Sequence, residues 1–93
     1  DATLADLYKS IPLEHASTPV VLTINTAMAD APVGAWLEIE QTLAAAGSVA
    51  AAGSASIQKR ATDSLTLSEQ YATAFLVHKG SNTWRLVGSL EAA

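Results

Sequence analysis

Two histidines, His15 and His78, and two carboxylates, Glu38 and Glu40, are the side chains of this sequence suited to metal binding or acid–base chemistry. The histidines stand too far apart for a local ligand motif, since neither His-x-His nor His-x-x-x-His occurs. Only an oligomer axis gathering three copies of one histidine would bring them to a metal. Glu38 and Glu40 alternate along the chain, which on a strand puts them on one face about 7 Å apart. That separation resembles an acid and nucleophile pair, but no third polar partner and no sugar platform beyond Trp36 accompany it. Ser48, Ser54, Ser56 and Ser64 lack a Gly-x-Ser-x-Gly elbow, and neither Gly47 nor Gly53 leads into a lysine and a helix that would cradle phosphate. We expect no catalytic residue, no metal site and no cofactor.

The two tryptophans point to recognition and packing instead. Trp36 alternates onto the face of Glu38 and Glu40, where it either covers a second subunit or stands exposed to stack on a sugar ring. Trp84 shares a face with Leu86 and reads as core or subunit interface.

The elements that position these residues are short and strand-like. Thr18 to Asn25 alternates β-branched residues with period two, and Tyr71 to Lys79, Gly80-Ser81-Asn82 and Thr83 to Gly88 form a hairpin pattern. On the first arm Tyr71, Thr73, Phe75 and Val77 share one face and Ala72, Ala74, Leu76 and His78 the other. Both faces are largely apolar, so this arm is expected to be buried on two sides, with His78 a satisfied structural histidine. The middle is ambiguous: Asp30, Pro32 and Gly47 suit the cap, first turn and end of a helix. Against that, Leu37 and Ile39 alternate with Trp36, Glu38 and Glu40, the following short elements are punctuated by Gly47 and Gly53, Ser64 to Leu67 again alternates, and turn signals every 8 to 12 residues or about that indicate an all-β domain. We therefore expect a strand over Trp36 to Gln41, with Leu37 and Ile39 inward. Residues 1–17 read as an edge element, a short helix or loose strand, before a core over residues 18–90.

Composition bounds the rest. The chain has 93 residues, room for one domain over residues 1–93, and carries 9 acidic against 5 basic residues for a net charge of -4. An acidic chain of this kind is not expected to bind nucleic acid. No cysteine is present, and no apolar run is long enough to span a bilayer, so no membrane insertion is expected. Hydrophobic residues make up 49% of the chain, but 19 of them are alanines. So few large side chains should leave a monomer marginal, and we expect an oligomer. The opening at Asp1 suggests a piece of a longer protein.

The order of these pieces resembles a domain at the C-terminal ends of bacteriophage tail-fibre and head-fibre proteins. The resemblance covers Thr18 to Leu90. It rests on Pro32, Val33, Gly34, Leu37, Glu38, Ile39 and Gln41, followed by a glycine-punctuated run. The closing hairpin contributes Gln70, Tyr71, Ala72, Ala74, Leu76, Gly80, Asn82, Trp84, Leu86, Val87 and Gly88. Trp36 and the Ala-rich run depart from the family pattern. The resemblance implies a compact β domain, trimeric about a fibre axis, in a virion assembled in the host cytoplasm.

The expected fold is all-β, a small antiparallel sandwich or partly closed barrel in a homotrimer. Leu37, Ile39, Phe75, Leu76, Trp84 and Leu86 are expected to form core or interface. Trp36, Ser81 and Asn82 are the receptor-binding candidates, with the Thr26 to Ala31 connection and the turns at Gly47 and Gly53 as further loops. The expected function is non-catalytic attachment to a host surface glycan or protein. Two alternatives share the fold: a head-fibre or capsid-decorating module without receptor binding, and a carbohydrate-binding module of a larger enzyme.

Overall fold

A computed structural model describes residues 2–14 and 20–92 of the chain. Nine strands are found among them: β1 (Ser10–Pro12), β2 (Val20–Ile24), β3 (Trp36–Glu40), β4 (Gly47–Ala51), β5 (Ser56–Gln58), β6 (Asp63–Leu67), β7 (Thr73–Gly80), β8 (Thr83–Gly88) and β9 (Leu90–Ala92). Two 3-10 turns, Leu4–Asp6 and Thr26–Asp30, accompany them. The fold is all-β and sandwich-like, as expected. A five-stranded sheet runs β1-β3-β7-β8-β5 and a four-stranded sheet runs β2-β4-β6-β9.

The pairing is mixed where an antiparallel arrangement was expected. β1 pairs β3, β2 pairs β4 and β5 pairs β8, each in parallel. The cause lies in the path: from β1 to β7 every strand enters the sheet opposite to its predecessor. When each early crossover also reverses direction, the first and third strands land side by side pointing the same way. Only β7 and β8 follow one another as a hairpin within one sheet.

The disputed middle is a strand. Leu37 and Ile39 are 0% and 1% exposed, and burial at every second residue fits a pleated strand rather than a helical turn. They pair with Leu76 and Ala74 of β7. Asp30 ends the second 3-10 turn instead of starting a helix; Asn25 is the cap, its side chain accepting from Ala27 N at 3.0 Å.

The core forms between the sheets. Leu37, Ile39, Ala74, Leu76, Trp84 and Leu86 face Leu22, Ile24, Val49 and Leu67, and Met28 belongs to the same cluster. The β7 arm is buried on one side, not two. Ala74, Leu76 and His78 point inward, while Phe75 alternates to the outer face and is 38% exposed. Phe75 is therefore no part of this chain's core; Leu37, Ile39, Leu76, Trp84 and Leu86 are. The first residue and the stretch 15–19, with His15 and the opening of the Thr18 to Asn25 run, lie outside the described residues.

Candidate functional site

The outer face of the five-stranded sheet carries an aromatic cluster. In β3, Trp36 sits opposite Val77 of β7, and Phe75, two residues along, is its diagonal neighbour. The Trp36 and Phe75 rings meet edge to face at 6.1 Å. Tyr8 closes the other side, its ring 5.8 Å from that of Trp36 and nearly perpendicular. Tyr8 is held there through the backbone: its N–H donates to the Trp36 carbonyl, and its φ of 62° lies in the left-handed region that non-glycine residues rarely occupy. Val87, opposite Phe75, extends the apolar surface onto β8.

Four of the five aromatic residues are exposed: Tyr8, Trp36, Tyr71 and Phe75. Only Trp84 is inside. Glu38 and Glu40 flank the cluster, Glu38 between Ser10 and Phe75, Glu40 between Pro12 and Thr73.

A second region is the end of the sandwich where three of the expected loops converge. The hairpin tip turns through Ser81 and Asn82, at φ 51° and 54°. Ser81 is exposed, but Asn82 is 2% exposed, so the structure removes it from the receptor-binding candidates. Its polar atoms are committed inside the protein. The backbone N–H donates to His78 Nε2 at 3.1 Å, and Nδ2 donates to the Asn25 carbonyl at 3.0 Å and to Ser54 Oγ at 3.1 Å. Oδ1 accepts from the Trp84 indole N–H at 2.9 Å. Asn82 thereby ties the hairpin to the start of the second 3-10 turn and to the β4–β5 turn.

Thr26 adds a further link between those loops, its hydroxyl accepting from Ser54 N at 3.1 Å. Gly53, at φ 59°, comes so close to that hydroxyl that a Cβ there would overlap it. The Gly47 turn lies elsewhere, packed on Leu13 and Leu67.

His78 is the satisfied structural histidine that the sequence suggests. Its ring stacks on Trp84 at 4.8 Å, and Nε2 accepts from Asn82 N–H. The neutral tautomer consistent with that acceptor carries its proton on Nδ1, which lies 3.2 Å from the Pro32 carbonyl. Among the described residues no group of three or more His, Asp or Glu side chains could hold a metal ion, and no helix is long and apolar enough to cross a membrane.

Two organising residues escape sequence reasoning. Gln41 is 3% exposed, and its Oε1 accepts from Gly47 N at 3.1 Å, closing the loop after β3. Its role was not readable from the local sequence, because its partner Gly47 lies six residues on, across the loop. Asp63 is the other, 6% exposed and paired with Arg60 at 2.7 Å. The Asp63 carboxylate raises the Arg60 pKa above its ordinary value, first through the hydrogen bond and then through its charge.

The last notable region is an open depression of about 720 Å³ where β5 meets β8. Ile57, Gln58, Lys59, Arg60, Arg85 and Val87 contribute to its walls. Arg85 Nη2 donates to Gln58 Oε1 at 3.1 Å. Compared with known protein families, curated proteins and solved structures, the chain matches none.

Proposed function

We propose that this domain is a non-catalytic attachment domain of a bacteriophage fibre, working as a homotrimer on the virion. The observation that carries the reading is the aromatic cluster of Tyr8, Trp36 and Phe75 on the outer sheet face. A chain short of large side chains leaves four of its five aromatics outside while filling its core largely with aliphatic residues. Aromatic side chains are enriched where proteins meet, because they bury much area at little entropic cost. A contact between copies over this face supplies apolar burial that an Ala-rich core lacks.

The order of motifs resembling fibre-tip domains supports three copies about an axis. Three copies also give weak contacts with a host glycan or protein the avidity of a multivalent binder. Leu86, expected in the core or at the interface, is wholly inside the chain, so the proposed contact rests on the exposed aromatics of β3 and β7.

Light scattering of the domain at micromolar concentration tests the assembly, with three times the chain mass expected for wild type and a smaller species for Trp36→Lys. A wild-type monomer overturns it. Attachment is tested by competition: the trimer should block virion adsorption far better than the Trp36→Lys variant. Trimeric domain that fails to compete favours capsid decoration.

The exposed Trp36 beside Glu38 also supports a second reading, a carbohydrate-binding module of a larger enzyme. That reading expects a monomer whose Trp36 fluorescence changes on adding a soluble neutral glycan.

A further inference from the structure

Three of the chain's five basic residues, Lys59, Arg60 and Arg85, line the depression at the β5–β8 edge. The protein as a whole is acidic, with a net charge of -4. Such a concentration of positive charge gives an anion one favoured approach to an otherwise repelling surface.

The charges differ in availability. Among the described residues the only ion pair is Arg60 with Asp63, so the Arg60 charge is largely answered inside the protein. Arg85 is held by a neutral acceptor, Gln58 Oε1 at 3.1 Å. That bond orients the guanidinium without neutralising it, leaving donors for a carboxylate or phosphate oxyanion. Lys59 adds a second charge on the same rim. Ile57 and Val87 supply an apolar flank suited to the C–H face of a ring. The volume, about 720 Å³, falls within the range of small-ligand sites, ~300–1,000 Å³.

We propose that this depression is a binding site for a saccharide carrying an anionic group, with Arg85 and Lys59 holding the anion and Ile57 and Val87 contacting the ring. The anion is either a sugar carboxylate, as in uronic-acid polysaccharides, or a phosphodiester, as in polyol-phosphate polymers. The site deepens the attachment reading and rests on it for its biological role, but binding by the isolated domain is measurable whatever its oligomeric state.

The experiment is titration of the isotope-labelled domain, followed through its amide resonances, with three probes: tri-galacturonate, a glycerol-phosphate oligomer and neutral maltotriose. At least one anionic probe should shift the amides of Gln58, Lys59, Arg60, Arg85 and Val87, and maltotriose should leave them in place. Binding by tri-galacturonate alone assigns a carboxylated source, and binding by the phosphate oligomer alone a phosphodiester one. Arg85→Ala should weaken binding about tenfold, the scale of one lost charge-assisted bond, and Lys59→Ala should weaken it further in combination. Both side chains are exposed, so the variants should keep the wild-type resonance dispersion.

Trp36→Lys should bind the anionic probe like wild type even where it abolishes assembly. Failure of both anionic probes at millimolar concentration overturns the site. So do equal shifts with maltotriose, unchanged affinity in Arg85→Ala, or tighter binding of a DNA oligonucleotide to the same amides.

Discussion

The Trp84 indole N–H donates to the side chain of Asn82, two residues earlier, at 2.9 Å, while the ring itself stacks on His78. The largest core side chain is thus tied to the hairpin that carries it. Asn82 also accommodates a positive φ that most residues resist. Replacing it removes side-chain hydrogen bonds at about 1 kcal/mol each and strands a buried indole N–H. Asn82→Ala should destabilise the domain by about 2–4 kcal/mol, whereas Ser81→Gly, at the exposed neighbouring position, should leave stability nearly unchanged. Denaturant unfolding of the two variants checks the contrast.

The neutral His78 ring should be the Nδ1–H tautomer, because its Nε2 accepts from Asn82 N–H. Long-range nitrogen–proton correlation spectra distinguish the tautomers directly. An Nε2–H signal would contradict the hydrogen-bond network around Asn82.

Ile39 and Glu40 are adjacent in β3 and face opposite ways. Ile39→Ala should cost about 2–5 kcal/mol as a core truncation, and Glu40→Ala almost nothing, read from the same unfolding curves. Comparable losses would mean that the strand's inner and outer faces are misassigned.

Gly53 and Gly34 both have positive φ, but only Gly53 has a neighbour in the way. At Gly53, alanine must strain the backbone and displace the Thr26 hydroxyl that accepts from Ser54 N. Gly34→Ala meets open space and bears the backbone cost alone, ~1 kcal/mol. Thermal unfolding should show Gly53→Ala to be the less stable of the two.

Phe75 and Leu76 separate folding from assembly. Leu76→Ala should lower chain stability by about 2–5 kcal/mol, whereas Phe75→Ser should leave the fold largely intact and reduce the mass seen by light scattering. A Phe75→Ser trimer would move the proposed contact away from this sheet face.

Much of the strand content was legible because alternation is local. Val20 to Ile24, Leu37 with Ile39, and the β7–β8 hairpin each show their period within a few residues. The helix-like signals around Asp30 and Pro32 lost to the pairing of β3 with β7, which joins residues distant in sequence. The same remoteness hid the parallel ladders. Asn82 was misread because its turn chemistry suggests an exposed tip, while its partners Asn25 and Ser54 come from other loops. Tyr8 was missed because its contact with Trp36 depends on where the first strand docks. For the basic depression, Lys59 and Arg60 are adjacent in sequence, but only the pairing of Gln58 with Arg85 brings the third charge beside them.

The alternation of strands between sheets also sets an order in time. During synthesis, a nascent chain that has emerged as far as β6 holds three strands of each sheet, but β7, which joins β3 to β8, is still missing. In the five-stranded sheet β1 and β3 can pair but β5 has no neighbour until the hairpin arrives, and β9 completes the other sheet last. The hairpin is the one ladder made by consecutive strands, while every other ladder joins strands with at least one other strand between them in sequence. Such a topology favours slow, late and all-at-once folding, with incomplete chains exposing unpaired strand edges to one another.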